Sequence, residues 1–238
     1  MAKPRYKRVL VKVSGEALLG SETYGLHAPT LTRIAADLVE VKKLGVEIAV
    51  VIGGGNLVRG AMLAETGIER ATADAMGMLG TVMNALALED GIKKQGATVR
   101  TLSAIPMTTV CEPYSHQRGL RHLASGHIVM LAGGIGNPYF TTDTTAALRA
   151  AELKCEAILK ATNVDGVYDS DPKINRGAKR FEQLTHGEAL KRDLKVMDAS
   201  AFALAREAKL PIIVFSIREA GAIASAIKGE GKSTAVVP

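Results

Sequence analysis

The sequence predicts an α/β fold, a three-layer αβα sandwich around a mainly parallel sheet. Short apolar, β-branched runs alternate with helix-period segments along the 238 residues. The runs are apolar at nearly every position, as in strands covered on both faces. Glycine-rich turns directly follow several of them, where an open α/β sheet presents its ligand-binding edge.

The first strand is expected at residues 9–13. Pro29 suits the first turn of a helix, where its missing N–H costs nothing. Leu31, Ile34, Ala35, Leu38, Val41 and Leu44 then recur at helical spacing, and Gly45 stands where a helix stops. Residues 46–52 form a second strand. A long helix is expected over residues 72–94, with Met76, Leu79, Val82, Met83 and Leu86 on one stripe. Residues 98–102 read as a short strand and 103–115 as irregular chain. A strand at 127–132, a helix at 144–153 and a strand at 157–161 follow. Thr185 and Glu188 have the spacing of a capping box, and Asp198 precedes a helix carrying Phe202, Leu204 and Ala205. A strand at 211–216, a helix at 220–228 and a strand at 233–237 complete the chain. Right-handed crossovers would place the strand C-termini on one edge.

Composition narrows the function classes. Hydrophobic residues make up 47% and charged residues 23%, which excludes disorder. Two cysteines, Cys111 and Cys155, cannot build a disulfide framework and suit a reducing compartment. The five histidines form no zinc-ligand spacing, so no metal site is expected in the protein itself. With aromatics at 4% and no tryptophan, base-stacking modules are disfavoured, and no nucleic-acid partner is expected. No apolar run approaches membrane-spanning length and no leader is apparent, so no membrane partner and a cytoplasmic location are expected. The net charge of +6 fits a phosphate-rich partner such as a nucleotide, or simply a basic surface.

Three loops carry the candidate chemistry. They are Lys12-Val13-Ser14-Gly15, Gly53-Gly54-Gly55-Asn56 with Arg59, and Gly133-Gly134-Ile135-Gly136-Asn137 leading into Thr141-Thr142-Asp143. Successive glycine N–H groups can surround an anion. Three such loops on one edge, with Lys12 and Arg59 among them, suggest several phosphates side by side. The P-loop pattern fails, because Ala226 stands where the first glycine before Gly231-Lys232-Ser233 belongs. The dinucleotide pattern also fails, at Val58. The turn at 162–172, with Asp165, Asp169, Asp171 and Tyr168, reads on composition as a solvated surface turn.

Six segments together resemble the bacterial UMP kinases (uridylate kinases) of the amino-acid-kinase superfamily. They are KVSGE at 12–16, GGGNLVRG at 53–60, DAMGML at 74–79, GNPYFTTD at 136–143, LKATNVDGVYDSDP at 159–172 and KVMDASAFALA at 195–205. The resemblance covers essentially the whole chain. It implies one amino-acid-kinase domain over residues 1–238, with about 1–155 mainly binding UMP and about 156–238 mainly binding ATP. It further implies ATP-dependent phosphorylation of UMP to UDP in pyrimidine nucleotide biosynthesis, with Mg²⁺ accompanying ATP. Lys12 and Lys160 would stabilise charge on the transferring phosphoryl group and Asp143 would orient the lysines. From the residues alone, Lys160 reads equally as an end-of-strand surface lysine and Asp143 as a helix N-cap.

By the same resemblance, ATP would be held by Lys12, Val13, Ser14, Gly15, Gly55, Arg59, Thr162, Asn163, Tyr168 and Asp171. UMP would be held by Gly54, Arg59, Asp74, Gly136, Asn137, Pro138, Tyr139, Phe140, Thr141 and Thr142. Asp198 is expected to act as an N-cap, with a catalytic role as the alternative. The family pattern adds a homohexamer, GTP activation linked to the loop at 20–25, and UTP inhibition. The methionines at 76, 78 and 83 fit either a subunit interface or ordinary core. Two rival functions stand beside this one: a sister kinase acting on a carboxylate or carbamate, and a nucleotide sensor without turnover.

Overall fold

The computed structural model describes residues 3–58, 67–172, 174–194 and 197–238. Among the described residues nine strands form one sheet: β1 (Arg8–Val13), β2 (Glu47–Ile52), β3 (Val99–Ser103), β4 (Glu112–Pro113), β5 (Ile128–Ala132), β6 (Ala157–Thr162), β7 (Gln183–Thr185), β8 (Ile212–Ser216) and β9 (Ser233–Val237). Their order is β4-β3-β5-β2-β1-β6-β8-β9-β7. The seven strands from β4 to β8 run parallel, while β9 lies antiparallel to β8 and carries β7 parallel to itself. The C-terminal ends of β1, β2, β5 and β6 therefore share the central stretch of one edge.

Seven helices flank the sheet among the described residues: α1 (Ala28–Lys43), α2 (Arg70–Lys94), α3 (His116–Ala124), α4 (Thr142–Glu152), α5 (His186–Lys191), α6 (Ala199–Glu207) and α7 (Ala222–Lys228). A 3₁₀ turn at Gly15–Leu18 follows β1. Two cores separate the layers. Ile34, Leu38, Leu88, Ile92, Ile223 and Ile227 place α1, α2 and α7 on one face with Val9, Val11 and Val13. Leu123, Ala146, Ala150, Phe202 and Ala205 place α3, α4 and α6 on the other with Leu10 and Ile158.

The period of two along a strand fixes the functional geometry. On β1, Val9, Val11 and Val13 point to the α1 face, so Lys12 shares the α4 face with Leu10. On β6, Leu159 and Ala161 likewise leave Lys160 on the face of Ile158.

The expected strands are all present, within a residue at each end. Three elements were not anticipated. The segment read as irregular contains β4, only two residues long, and α3 and β7 had no counterpart in the sequence reading. The helix expected from Thr144 begins at Thr142, and its N-cap is Thr141, whose hydroxyl accepts from the N–H groups of Asp143 and Thr144. Asp143 is therefore a first-turn residue and not the cap. Of the two cysteines, Cys155 is buried and Cys111 is half-buried.

Candidate functional site

Lys12 and Lys160 are cross-strand neighbours in the β1–β6 register. Two ammonium groups on one face of adjacent strands repel each other. Asp143, in the first turn of α4, relieves that repulsion. Its Oδ1 lies 2.8 Å from Lys12 Nζ and its Oδ2 lies 2.7 Å from Lys160 Nζ. All three side chains are largely shielded, with 9%, 13% and 16% of the Lys12, Lys160 and Asp143 side chains exposed. Burial works against the charged Asp143, yet the Lys12 and Lys160 ammonium groups outweigh it and hold the carboxyl below the ordinary carboxylate range. Burial lowers the Lys160 ammonium, Lys12 adds to that effect, and Asp143 opposes it.

Lys160 lines one cleft, and Thr142, the chain neighbour of Asp143, lines another. The larger, about 540 Å³, is lined by Lys160, Thr162, Tyr168, Asp171 and the apolar Val164, Leu194 and Val214. Its size suits a small-molecule ligand. Tyr168 donates to Asp165 Oδ1 at 2.6 Å, and this bond raises the phenol above its usual range. Thr162 closes the start of the turn, its hydroxyl accepting from Val164 N at 3.0 Å. The aspartate-rich turn that composition reads as solvated surface is thus a cleft wall. Asn163 is exposed in the same turn.

The smaller cleft, about 140 Å³, is lined by Gly54, Gly55, Asp74, Gly134, Phe140, Thr141 and Thr142. The glycine turns after β2 and β5 thus open onto one space. Gly55, expected on the ATP side, stands here beside Gly54. Gly136, Asn137, Pro138 and Tyr139 continue the loop outward, with Asn137 and Tyr139 exposed. Tyr139 has a left-handed backbone, φ 71°, and its N–H donates to Asp74 Oδ2 at 2.8 Å. Asp74 also receives Arg70 Nε at 2.9 and 3.0 Å, so both its oxygens carry donors. Arg59 lies outside the described residues.

Close backbone packing brings these loops together. A Cβ on Gly15 would lie 2.7 Å from Gly55 N, and one on Gly54 would lie 2.6 Å from Gly77 O of α2. Val13 O accepts from Gly53 N at 2.9 Å, joining the turns after β1 and β2 beside Ser14.

Several supporting residues escaped the sequence reading. Asn84 donates to Gly53 O at 2.7 Å and pairs with the Asn56 amide, and Thr81 Oγ1 accepts from Gly133 N at 2.9 Å. Both sit buried in the middle of α2. Their signal was present as two polar residues interrupting an apolar helix face, a pattern that burial tolerates only with partners. Asp198 caps α6 as expected, accepting from Ala201 N at 2.8 Å. It also receives the hydroxyls of Thr141 and Thr144, which ties it to the turn that carries Asp143.

The model of the Amino acid kinase family matches residues 7–216, a span that contains the lysine pair and both clefts. The uridylate kinase of Azorhizobium caulinodans is 64% identical over 233 residues, 98% of each chain. That of a Bradyrhizobium species is 59% identical over 99% of each. The chain belongs to the amino acid kinase family, in its uridylate kinase branch. Solved structures agree with that placement. The UMP kinase of Ureaplasma parvum superposes on this amino acid kinase with a TM-score of 0.94 at 36% identity, covering 100% of both chains. The UMP kinase of Bacillus anthracis gives a TM-score of 0.94 at 40% identity, covering 98% of this kinase and 96% of that chain.

Proposed function

We propose that the protein transfers the γ-phosphoryl group of ATP to UMP, forming ADP and UDP. The observation that carries this reading is the Lys12–Asp143–Lys160 cluster, with Lys160 lining one cleft and Thr142, next to Asp143, lining the other. An oxygen of the UMP phosphate attacks the γ-phosphorus, the bond to the β-phosphate oxygen breaks, and its electron pair leaves with ADP. The nucleophile is ionised at neutral pH, since a phosphate monoester loses its second proton near pH 6. No general base is needed, which fits a site whose central carboxylate already holds two lysines. Catalysis then consists of positioning and charge stabilisation. Lys12 and Lys160 donate to the transferring group, and Asp143 sets their spacing.

In this reading the larger cleft takes ATP through Thr162, Asn163, Tyr168 and Asp171, with Val13, Ser14, Gly15 and Gly55 along its phosphates. The smaller cleft takes UMP through Gly54, Asp74 and residues 136–142, and Arg59, outside the described residues, is assigned to both nucleotides. Among the described residues no three His, Cys, Asp or Glu side chains gather to hold a metal ion. The Mg²⁺ that accompanies ATP would be held mainly by nucleotide phosphate oxygens. The bound ion would supply further neutralisation of phosphate charge.

The reading extends to a cytoplasmic homohexamer serving pyrimidine nucleotide biosynthesis, activated by GTP and inhibited by UTP. Two features support the extension. The turn at 20–25 is bonded to the glycine turn, Gly25 N to Asn56 O at 3.0 Å and Asn56 Nδ2 to Gly25 O at 2.8 Å. Leu79 and Met83 lie exposed on α2, as a subunit contact requires. No helix among the described residues is long and apolar enough to cross a membrane.

The test is a coupled assay of ADP release with UMP, CMP, acetylglutamate and carbamate offered separately. Turnover with UMP is expected. Turnover with acetylglutamate or carbamate alone would identify a sister kinase, and UMP binding by calorimetry without turnover would identify a sensor.

A further inference from the structure

Asp198 is the meeting point of two helix N-termini. One of its oxygens accepts from Ala201 N at 2.8 Å, which caps α6. The same carboxylate receives Thr144 Oγ1 at 3.0 and 3.1 Å and Thr141 Oγ1 through its Oδ2. Thr141 is itself the cap of α4, accepting from Asp143 N at 3.0 Å and Thr144 N at 3.3 Å. An ionised carboxylate only accepts. The Thr141 hydroxyl hydrogen must therefore point to Asp198, which leaves its lone pairs to the amides of Asp143 and Thr144. One relay thus runs from Asp198 through the Thr141 hydroxyl to the backbone of Asp143.

We propose that Asp198 is a positioning residue for phosphoryl transfer: by fixing the Thr141 and Thr144 hydroxyls it sets the first turn of α4, and with it the Asp143 carboxylate that spaces Lys12 and Lys160. The inference rests on the transfer reading above and adds a residue to it. Asp198 also acts through space. Lys160 faces Asp143, Lys12 and Asp198, and the Asp198 charge helps keep its ammonium protonated.

Replacing Asp198 by Asn separates this role from simple capping, because Asn caps a helix about as well as Asp. The Asn carboxamide can still accept from Ala201 N. Its NH₂ group, standing in place of Oδ2, cannot accept from the Thr141 hydroxyl, so the relay through Thr141 is broken while the remaining oxygen still caps α6 and still accepts from Thr144 Oγ1. Small misplacements of catalytic groups cost up to about 100-fold in rate. The experiment compares wild type, Asp198→Asn and Thr144→Val in the ADP-release assay with UMP, across pH, alongside thermal unfolding. The expected result for Asp198→Asn is a kcat lower by roughly 10- to 100-fold, little change in KM for either nucleotide, and an alkaline limb of the kcat profile shifted to lower pH. Thr144→Val, which removes one donor and keeps the shape, should lower kcat in the same direction by less. A kcat within about twofold of wild type in both variants, with the alkaline limb unmoved, would overturn the proposal. So would a loss of activity that tracks a loss of folded protein in Asp198→Asn while Thr144→Val stays fully active. Wild-type turnover in the same assay separately decides the transfer reading.

Discussion

Lys12 and Lys160 stand directly opposite each other on neighbouring strands of the sheet, and a single carboxylate, Asp143, touches both. Each oxygen of that carboxylate faces one ammonium group, which fixes the spacing of the two lysines. The arrangement holds two positive charges in a shielded place until a more highly charged phosphate arrives.

Replacing Lys12 by Met keeps the unbranched stem of the side chain and removes its charged end. Losing one donor to a developing negative charge typically costs about 2.7–4 kcal/mol, or 100- to 1,000-fold in kcat. The KM for UMP should change little, because the contact strengthens in the transition state. Steady-state kinetics with UMP varied at saturating ATP checks this, and near-normal turnover would remove Lys12 from the mechanism.

Asp143 links the site to stability. Its folded pKa lies below the unfolded carboxylate value of about 3.9, so its contribution is present above that pH and lost as pH falls through the folded value. Asp143→Asn leaves two shielded ammonium groups side by side. Breaking a buried pair costs about 3–5 kcal/mol. Denaturant unfolding should show a stability gap of that order at pH 7 that closes as pH drops below about 4. A gap independent of pH would contradict the ion-pair account.

Local signals were legible and long-range register was not. Thr185 and Glu188 form the reciprocal capping box that their spacing announced, and Asp198 caps α6 as its place before an apolar helix suggested. The buried strands stood out because both of their faces are covered. β4 and β7 are edge strands of two and three residues, too short to show any period. The direct pairing of Lys12 with Lys160 depends on a register between segments far apart in sequence, and nothing local encodes it. The roles proposed for them come from family resemblance, and the strand alternation explains how they meet. Thr141 displaced Asp143 as the cap because the extended backbone at Thr141, φ −93° and ψ 172°, lets its hydroxyl reach two amides.

Two neighbouring glycine positions should respond differently to alanine. A Cβ on Gly15 would lie 2.7 Å from both Gly55 N and Asn56 Oδ1, and backbone cannot swing aside. Gly15→Ala should cost about 1–3 kcal/mol and lower Tm by a few degrees for each kcal/mol. A Cβ on Gly55 meets nothing within 4 Å. Gly55→Ala should therefore leave Tm unchanged and act on substrate, raising KM where the methyl enters the cleft. Equal losses of Tm in both variants would refute this reading of the glycine turn.

His186 opens α5 and is buried, with 1% exposed, against the Phe202 ring at a centroid distance of 6.0 Å. Neither ring nitrogen has a hydrogen-bond partner of normal geometry, although the Leu210 backbone lies near enough to favour the charged form slightly. Burial is the main force lowering its pKa, and the positive charge of Arg206 adds to it. The unfolded chain therefore binds a proton below about pH 6.5 that the folded one refuses, and stability falls as pH drops from there towards the folded value. Leaving a polar group buried without a partner costs about 1–3 kcal/mol. His186→Leu fills the same space without that cost, so it should raise the denaturant midpoint at neutral pH and raise it more at pH 5.5. A midpoint difference that stays constant between pH 7.5 and 5.5 would show that His186 takes up its proton without unfolding the chain, and that its nitrogens find partners in solution.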